Sequence, residues 1–417
     1  MRLVVVTYGS EGDNRPLLAL SSGLKKAGHE VVFLGERAIE RLAVAEGVGF
    51  QALEGDMKAT VQPGGPLHKI MNEGGHPGKM AKACADFANA SMVSWMRQLV
   101  EVARECDGIV FSGFAGYPAL SVAEYLDMPI IGAGLFPVSP TRAFPSSLIS
   151  PVSLPGWLNY YSHKAMMGML WRMFRGSINE ARKKVCGQAL RRRAWDDYPV
   201  VYGISPSILP QPADWPSKWQ MCGAWYYRDS AWQADQALID FIDAGEPPVY
   251  LGFGSMSGFD SQRLLSLLSP ALAGKRVVYS PGWSDYDAAL LPEQTFIVGD
   301  TPHDWLFPKM SVVIHHGGAG TTHAAARAGK PAVVIPFTGD QAFWAHRLAE
   351  LGVAADARTM TKLTRQRFAR RFAEAENGMM AQRAEMLSRS MLTEDGIESA
   401  VKQITVHMSR FFCKPLI

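Results

Sequence analysis

Residues 3–34 read LVVVTYGSEGDNRPLLALSSGLKKAGHEVVFL, and this stretch decides the fold. The β-branched run at its start predicts a strand, which ends in a glycine-rich turn at residues 9–13. Leucines with helical spacing follow over residues 17–24, Gly28 stops the helix, and residues 31–34 predict a second strand. Strand, turn, helix and strand in this order form a βαβ unit, so the sequence predicts a parallel sheet.

The same pattern recurs on both sides of a proline-rich passage at residues 205–216, which we interpret as a linker. Further apolar runs that predict strands lie at residues 108–111, 129–132, 249–252, 276–279, 312–314 and 331–336. We therefore expect an α/β protein of two doubly wound parallel-sheet domains that face each other across a cleft. The default place for a ligand is the cleft, at the switch points of the two sheets.

The composition is that of a globular protein. Of the 417 residues, 47% are hydrophobic and 19% are charged, which excludes a disordered, collagen-like or coiled-coil chain. The 42 basic and 39 acidic residues leave a formal net charge of +3, so the charge gives no reason to expect nucleic acid as a partner.

The cysteines and the apolar segments point to a cytoplasmic location. Five cysteines are scattered without a C-x-x-C pair, which is typical of reduced thiols. The N-terminus has too short an apolar run for a signal peptide, and no apolar stretch reaches the ~18 residues of a membrane span. We expect a cytoplasmic protein that at most contacts the surface of a membrane.

The strongest motif is the turn HHGGAGTT at residues 315–322, between a predicted strand and a predicted helix. Glycines let backbone N–H groups approach an anion, and the helix N-terminus adds positive potential. Thr321 supplies a hydroxyl, and a histidine of the same turn can donate to a phosphate oxygen. A plain tight turn would explain the glycines but not the histidine pair, so we predict a phosphate site here.

Three weaker motifs lie elsewhere, two of them after predicted strands and one in a predicted loop. Asp340 and Gln341 pair a carboxylate with an amide, which suits sugar hydroxyls, although Asp340 is equally explained as a helix N-cap. The loop at residues 252–258 departs from the dinucleotide fingerprint, and Ser255 becomes a phosphate contact only beside the histidine turn. The D-x-D triplet at residues 285–287 lacks the further ligands of a magnesium site, so we predict no metal.

Asp13 lies in the first strand-to-helix turn. A carboxylate there can act as a general base on a hydroxyl group. Pro16 follows closely and favours a helix start, so Asp13 can equally be a helix-capping residue. The two roles do not exclude each other.

Together these residues resemble the family 1 glycosyltransferases, which have two Rossmann-like domains in the GT-B arrangement. The turn at residues 316–321, with Asp340 and Gln341 about twenty residues later, is similar to the sugar-nucleotide signature of that family. The PHDWLFP segment at residues 302–308 matches as well, and GSEGDNRP at residues 9–16 resembles the branch of sterol 3β-glucosyltransferases and antibiotic glycosyltransferases. Other stretches that look nearer to the sterol branch lie at residues 112–114, 141–145, 202–206 and 336–341.

The resemblance implies a role for individual residues. Asp13 falls at the position of the catalytic base, and Asp340 and Gln341 fall at positions that bind sugar hydroxyls. The implied diphosphate and donor positions are Ser255, His303, His316, Gly318, Gly320 and Thr321. Plant members have Glu where this chain has Ala324, and His where it has Asp13; both differences fit the sterol and antibiotic branch.

The resemblance also implies domains and an activity. It implies an acceptor-binding domain at residues 1–210, a donor-binding domain at residues 211–395 and a C-terminal helix at residues 396–417 that packs back on the first domain. The implied reaction is an inverting, metal-independent transfer of a hexose, from UDP-glucose, to a hydroxyl of a lipophilic polycyclic acceptor such as a sterol. No cofactor is implied, because the UDP-sugar is a co-substrate.

The acceptor pocket is expected in the aromatic- and methionine-rich segment at residues 136–174, although helical core explains its methionines equally well. The residues expected to contact the acceptor are Ser10, Phe114, Phe136, Phe144 and Trp157. The basic runs at residues 182–184 and 191–193 are explained as a solvated helix face or as a contact with a membrane surface.

Three alternatives remain open from the sequence. One is a transferase that uses dTDP- or UDP-sugars on an antibiotic or other natural-product aglycone. The others are a nucleotide-sugar epimerase and a non-catalytic relative that activates a partner transferase. The last should lack Asp13 or the histidine turn, and both are present.

Overall fold

The computed structural model describes residues 1–56, 59–60, 65, 77–149, 152–254, 256, 259–356, 359 and 362–412, with the backbone alone at residues 77–81 and 84. Two parallel sheets organise these residues, which confirms the predicted fold of two α/β halves. The N-terminal sheet has seven strands in the order β3-β2-β1-β4-β5-β6-β7. They are β1 (Arg2–Tyr8), β2 (Glu30–Gly35), β3 (Gly49–Ala52), β4 (Gly108–Gly113), β5 (Ile130–Gly134), β6 (Val200–Tyr202) and β7 (Trp219–Met221).

The C-terminal sheet has five strands in the order β10-β9-β8-β11-β12, again parallel throughout. They are β8 (Val249–Gly252), β9 (Val277–Ser280), β10 (Thr295–Ile297), β11 (Val313–His315) and β12 (Ala332–Val334). The strand order reverses beside β1 and β4 in one sheet and beside β8 and β11 in the other. Ligands of such sheets bind where the order reverses, at the carboxyl ends of the strands. These two edges therefore define where a site is expected.

Helices cover both faces of the two sheets, as the connections between parallel strands require. Those of the N-terminal half are α1 (Glu11–Lys26), α2 (Glu40–Ala45), α3 (Pro77–Ala103), α4 (Gly116–Leu126) and α5 (Gly156–Cys186). Those that follow are α6 (Gln236–Asp243), α7 (Ser261–Leu268), α8 (His303–Leu306), α9 (Ala319–Arg327), α10 (Gln341–Glu350), α11 (Arg365–Ala375), α12 (Gly378–Leu392) and α13 (Gly396–Phe412). In the described part of the chain, no helix is both long enough and apolar enough to cross a bilayer.

The predicted boundary at residue 210 falls inside the N-terminal sheet, because β7 pairs with β6 beyond it. The proline-rich passage is thus a packed connection between two strands of one sheet and not a linker. Ile208, Leu209 and Trp215 bury their side chains in a core that also contains Phe343 and Trp344 of the C-terminal half. The chain passes from one sheet to the other between β7 and β8, over residues 222–248.

The last described helix, α13, packs on the N-terminal half although it follows the C-terminal sheet in the chain. Ala400, Ile404 and Met408 are buried in one core with the leucines of α1. Trp225 on the crossing segment donates from its indole nitrogen to the carbonyl of Gly396 at 3.0 Å, which anchors the start of the helix.

The packing of α13 predicts a stability effect. Met408→Ala is expected to lower the free energy of unfolding by about 2 to 5 kcal/mol, since this side chain is fully buried. Met386→Ala on α12 is the matched control, because Met386 is 68% exposed, and it should change stability by less than about 0.5 kcal/mol. Urea unfolding of the two variants measures both, and equal stabilities would contradict the packing of α13.

Candidate active site

The first element of the site is the turn after β1, where α1 begins. The Asp13 carboxylate accepts hydrogen bonds from the backbone N–H of Ser10 at 2.8 Å and from its hydroxyl at 3.0 Å. Asn14 donates to the carbonyl oxygens of Gly9 and Ser10, which fixes the turn from the other side. A Cβ on Gly9 would lie 2.4 Å from the carboxylate oxygen, so only glycine leaves room for Asp13 in this position. The turn both caps the helix with Asp13 and holds its side chain in one place.

The pKa of Asp13 is raised above its ordinary value, because burial penalises the charged carboxylate. The two hydrogen bonds from Ser10 act in the opposite direction and favour the charged form. A carboxylate with a raised pKa is a stronger base than an exposed one, which is the property that proton abstraction needs.

The second element is the turn between β11 and α9. Gly317 has a φ of +92°, where a side chain would be strained, and a Cβ on Gly318 would lie 2.5 Å from the His316 ring. Ala319 opens α9 with Gly318 as its N-cap, and no side chain caps that end. Gly320 is exposed with open space around it, and Thr321 is half-buried beside it. The first N–H groups of a helix have no partner within it, so this end can receive an anion.

The two histidines of this turn differ. His315 is fully buried, and its Nδ1 accepts a hydrogen bond from the N–H of Gly317 at 3.1 Å, so it shapes the turn. His316 lies between Gly254 and Gly318, and a Cβ on Gly254 would lie 3.0 Å from its ring. Burial, and then the neighbouring His303, lower the pKa of His316 to about 4. His316 is therefore neutral near pH 7, when it can donate one N–H without carrying charge.

His303 lies at the start of the short helix α8. Its ring stacks on Phe307, with centroids 4.3 Å apart. Burial, and then the positive charge of Arg15, lower the pKa of His303 to about 4. The effect of His303 on the pKa of His316 shows that both rings lie in one cluster. The other predicted diphosphate residue, Ser255, lies outside the described residues.

The third element is the start of α10, after β12. The Asp340 carboxylate accepts a hydrogen bond from the Trp344 indole nitrogen at 2.6 Å. The pKa of Asp340 is raised to about 6, mainly by burial and to a smaller extent by the negative charge of Asp13, while the hydrogen bond from Trp344 acts in the opposite direction. The carboxylates of Asp13 and Asp340 are thus close enough to interact electrostatically.

Gln341 differs from the expectation. Its carbonyl oxygen accepts from the backbone N–H groups of Phe337 and Thr338, at 2.8 and 3.1 Å, so that oxygen is used inside the turn. Its amide nitrogen is 3.3 Å from the sulfur of Met256. Only this nitrogen is left for a ligand, so Gln341 mainly positions the turn that carries Asp340.

An ion pair that the sequence did not indicate joins the two halves beside the site. Arg15 on α1 pairs with Asp300, which precedes α8, and also with Glu11 at 3.0 Å. Helix α1 contacts α9 directly. The Asp13 turn and the histidine turn therefore lie opposite each other at the two switch points.

The predicted acceptor residues do not form one pocket. Ser10 and Phe114 lie at the same edge as Asp13, because the Phe114 N–H donates to the carbonyl of Tyr8 at the end of β1. Phe136 and Phe144 belong to the core between the halves, where the Phe144 ring lies 5.7 Å from that of Phe343. Trp157 is 61% exposed near the start of α5, so the structure does not bring it together with the other four. Helical spacing turns it away from the buried side of that helix.

The D-x-D triplet is used locally. The Asp287 carboxylate accepts from the N–H of Ala289 at 3.0 Å and so caps a short 3₁₀ turn. Among the described residues, no three His, Cys, Asp or Glu side chains are grouped as metal ligands.

Comparison with known proteins shows which sequences and structures the chain is similar to. Residues 276–405 match the model of the erythromycin biosynthesis protein CIII-like C-terminal domain. The sterol 3-beta-glucosyltransferase of Debaryomyces hansenii is 29% identical over 96% of this chain, and that of Aspergillus fumigatus is 31% identical over 97%. The chain spans only 26% and 30% of the length of these two relatives.

Solved structures agree on the fold. The glycotransferase of kitacinnamycin superposes with a TM-score of 0.72 at 17% identity, covering 98% of this chain and 99% of its own. The glycosyltransferase VinC, in complex with dTDP, gives 0.69 at 18% identity, over 98% of this chain and all of its own. The chain therefore shares the GT-B fold of these glycosyltransferases, and along nearly all of its length its sequence is similar to sterol 3-beta-glucosyltransferases, in agreement with the resemblance noted in its motifs.

Proposed function

We propose that the chain transfers glucose from UDP-glucose to a hydroxyl of a lipophilic polycyclic acceptor such as a sterol, with inversion at the sugar. The single observation that supports this most is the meeting of Asp13, His316 and Asp340 at the two facing switch points, where Asp13 raises the pKa of Asp340. The names of the sterol glucosyltransferase relatives support the choice of donor and acceptor class.

In this proposal Asp13 is the general base. Its carboxylate removes the proton from the acceptor hydroxyl while the acceptor oxygen attacks the anomeric carbon. The bond between that carbon and the diphosphate oxygen breaks on the opposite side, so the configuration inverts. Ser10 holds the carboxylate in position through its N–H and hydroxyl.

The histidine turn stabilises the leaving group in this proposal. Negative charge develops on the diphosphate as the bond to the sugar breaks. The N–H groups that open α9, the Thr321 hydroxyl and the neutral His316 ring are fixed in place before the reaction, so they stabilise that charge without reorganisation. His303, Gly318, Gly320 and Ser255 complete the donor site, and no metal takes part in any step we propose.

Asp340 binds the sugar in this proposal. One carboxylate oxygen is held by Trp344, which leaves acceptor positions free for sugar hydroxyls.

The raised pKa of Asp340 predicts how donor binding depends on pH. Below about pH 6 the carboxyl group is protonated and loses acceptor positions, so UDP-glucose affinity should fall by about tenfold between pH 7 and pH 5. UDP-glucose itself has no group that titrates in this range, so the pH dependence of the affinity measured by calorimetry comes from groups of the protein. Asp340→Asn should bind weakly and without this pH dependence. Asp13→Asn should shift the midpoint lower, because the charge of Asp13 raises the pKa of Asp340; an unshifted midpoint would contradict the proximity.

A second candidate is a transferase that uses dTDP-sugars on an antibiotic aglycone. The match of residues 276–405 to the erythromycin-type domain and the dTDP complex of VinC favour it. A matrix of UDP- and dTDP-sugars against sterols and polycyclic aglycones, analysed by mass spectrometry, separates the two. Product with UDP-glucose and a sterol supports the first, product with a dTDP-sugar alone supports the second, and no product from any pair would contradict both.

A further inference from the structure

The first half of α5 presents an apolar stripe to solvent. Trp157, Tyr161, Ala165 and Met169 follow one another at every fourth residue, and all four are exposed. Trp157 and Tyr161 are 61% and 62% exposed, although large aromatic side chains are rarely left so open. Residues spaced by four lie above one another on a helix, so these side chains form one continuous strip.

Basic residues share this side of the helix. At 100° per residue, Lys164, Arg172 and Arg175 fall within the same arc of roughly 140° as the apolar strip. All three are exposed, and no acidic residue of α5 falls in that arc. Asp196, in the segment after α5, has its carboxylate 3.7 Å from the Lys164 ammonium. We call this surface the 157–175 face.

Exposed apolar residues extend the face beyond the helix. Val152 and Leu154 are exposed in the segment that leads into α5, and that segment carries no charge. Ile149, also exposed, lines a shallow groove with Met166, Met169 and Met173.

The basic runs at residues 182–184 and 191–193 lie outside this face, and part of their charge is paired. Arg182 is buried and pairs with Glu124 at 3.3 Å, and Arg191 pairs with the same carboxylate at 2.9 Å and lies over the Trp195 ring. Lys184 pairs with Glu180 on the same helix, and Lys183, Arg192 and Arg193 are exposed. Arg182 and Arg191 thus hold α5 and the segment after it to α4, and the apolar strip is accompanied by the separate set of cations on the 157–175 face.

We propose that the 157–175 face docks on the surface of a bilayer that contains anionic phospholipid. Tryptophan and tyrosine are the side chains that favour the boundary between lipid and water, because each has an apolar ring and a polar group. Three cations around an apolar strip complement the phosphates of anionic lipids, which is the pattern of helices that lie in the interface plane. The inference rests on the proposed function, because a bilayer is where a lipophilic acceptor is dissolved.

A second copy of the chain fits this face less well. A two-fold dimer through it would bring Lys164, Arg172 and Arg175 of one copy against the same cations of the other. Like charges at such short range are unfavourable. Lipid phosphates are negatively charged, so they attract these cations.

Vesicle flotation of the full chain, without donor or acceptor, tests the proposal. The wild-type chain should float with vesicles of phosphatidylcholine and phosphatidylglycerol, and much less with phosphatidylcholine alone. The pair Arg172→Glu and Arg175→Glu should lower the partition coefficient by at least about tenfold, and so should the pair Trp157→Ser and Tyr161→Ser. Raising the salt concentration should weaken wild-type binding.

Matched controls come from the other half of the chain. Arg370→Glu with Arg389→Glu, and Met379→Ser with Met386→Ser, change equally exposed residues on α11 and α12 and should bind as the wild type does. Absence of wild-type binding, or equal loss in the controls, would overturn the proposal. A wild-type dimer that the Trp157 and Tyr161 changes dissociate would assign the face to self-association and overturn it as well.

The two proposals fail separately. The Arg172→Glu and Arg175→Glu pair should keep wild-type turnover on an acceptor dissolved in detergent micelles, because neither residue belongs to the proposed site. Vesicle binding without turnover on any acceptor would reject the proposed function alone. Turnover without vesicle binding would reject the docking face alone.

Discussion

Asp13→Asn is expected to lower kcat by about 10³-fold, because the amide cannot take the acceptor proton. The substitution keeps the size of the side chain, and the amide oxygen can still accept from the N–H and hydroxyl of Ser10. Stability should therefore change by less than about 1 kcal/mol. The KM for UDP-glucose should also change little, since Asp13 acts on the acceptor.

A matched control tests whether the loss of kcat is specific to Asp13 or follows from removing any carboxylate in a loop. Asp285→Asn changes an exposed carboxylate in the D-x-D triplet and should keep wild-type kcat. Steady-state kinetics with UDP-glucose and a sterol, together with urea unfolding of each variant, gives all the values. Wild-type kcat in Asp13→Asn would show that Asp13 is not the general base. A large loss of kcat in Asp285→Asn would indicate that the D-x-D triplet takes part in the reaction.

His316→Ala is the second large effect, with an expected loss in kcat of about 10²- to 10³-fold. The change removes an N–H donor that is fixed beside the opening of α9, where charge develops on the diphosphate. Because the pKa of His316 is about 4, its ring is neutral over the working range, so the loss should be the same at pH 6 and pH 8. A loss that grew toward low pH would indicate a charged imidazole and contradict the assignment.

His346→Ala is the control for this prediction. His346 is a histidine of α10 whose Nε2 lies 3.5 Å from the Glu350 carboxylate, and its variant should keep wild-type kinetics. His315→Ala should behave differently from both, because it removes the acceptor for the Gly317 N–H inside the core and so should lower stability. Unfolding curves, measured together with the kinetics, distinguish a loss of stability from the loss of a hydrogen-bond donor.

Periodicity was enough to predict the central strands and the two-sheet architecture. Strands such as β1 and β8 are continuous apolar runs between turn signals, and that is the pattern of a buried parallel strand. β6, β7 and β10, of three residues each, were not predicted, whereas β11 and β12 are equally short but lie in the apolar runs at residues 312–314 and 331–336. Because β7 lies beyond the prolines and was not predicted, the boundary at residue 210 falls inside the N-terminal sheet.

The site was predictable where backbone shape demands particular residues. Gly9 leaves space for a carboxylate, Gly318 leaves space for a ring and Gly317 adopts a positive φ, and the sequence marks all three as glycine turns. Side-chain partners across the fold were not predictable: the oxygen of Gln341 is taken by its own turn, and Arg15 meets Asp300 from the other half. Trp157 shows the limit of composition, which finds an aromatic but not the side of the helix it occupies.

The configuration of the product tests the central claim most directly. UDP-glucose carries an α-linked sugar, so attack from the side opposite the diphosphate, with Asp13 as base, must give a β-glucoside. We predict that the anomeric proton of the purified sterol glucoside shows the β configuration by NMR, and that Asp13→Asn forms this product at least about a hundredfold more slowly. An α-glucoside, or equal product formation by the variant, would contradict the account.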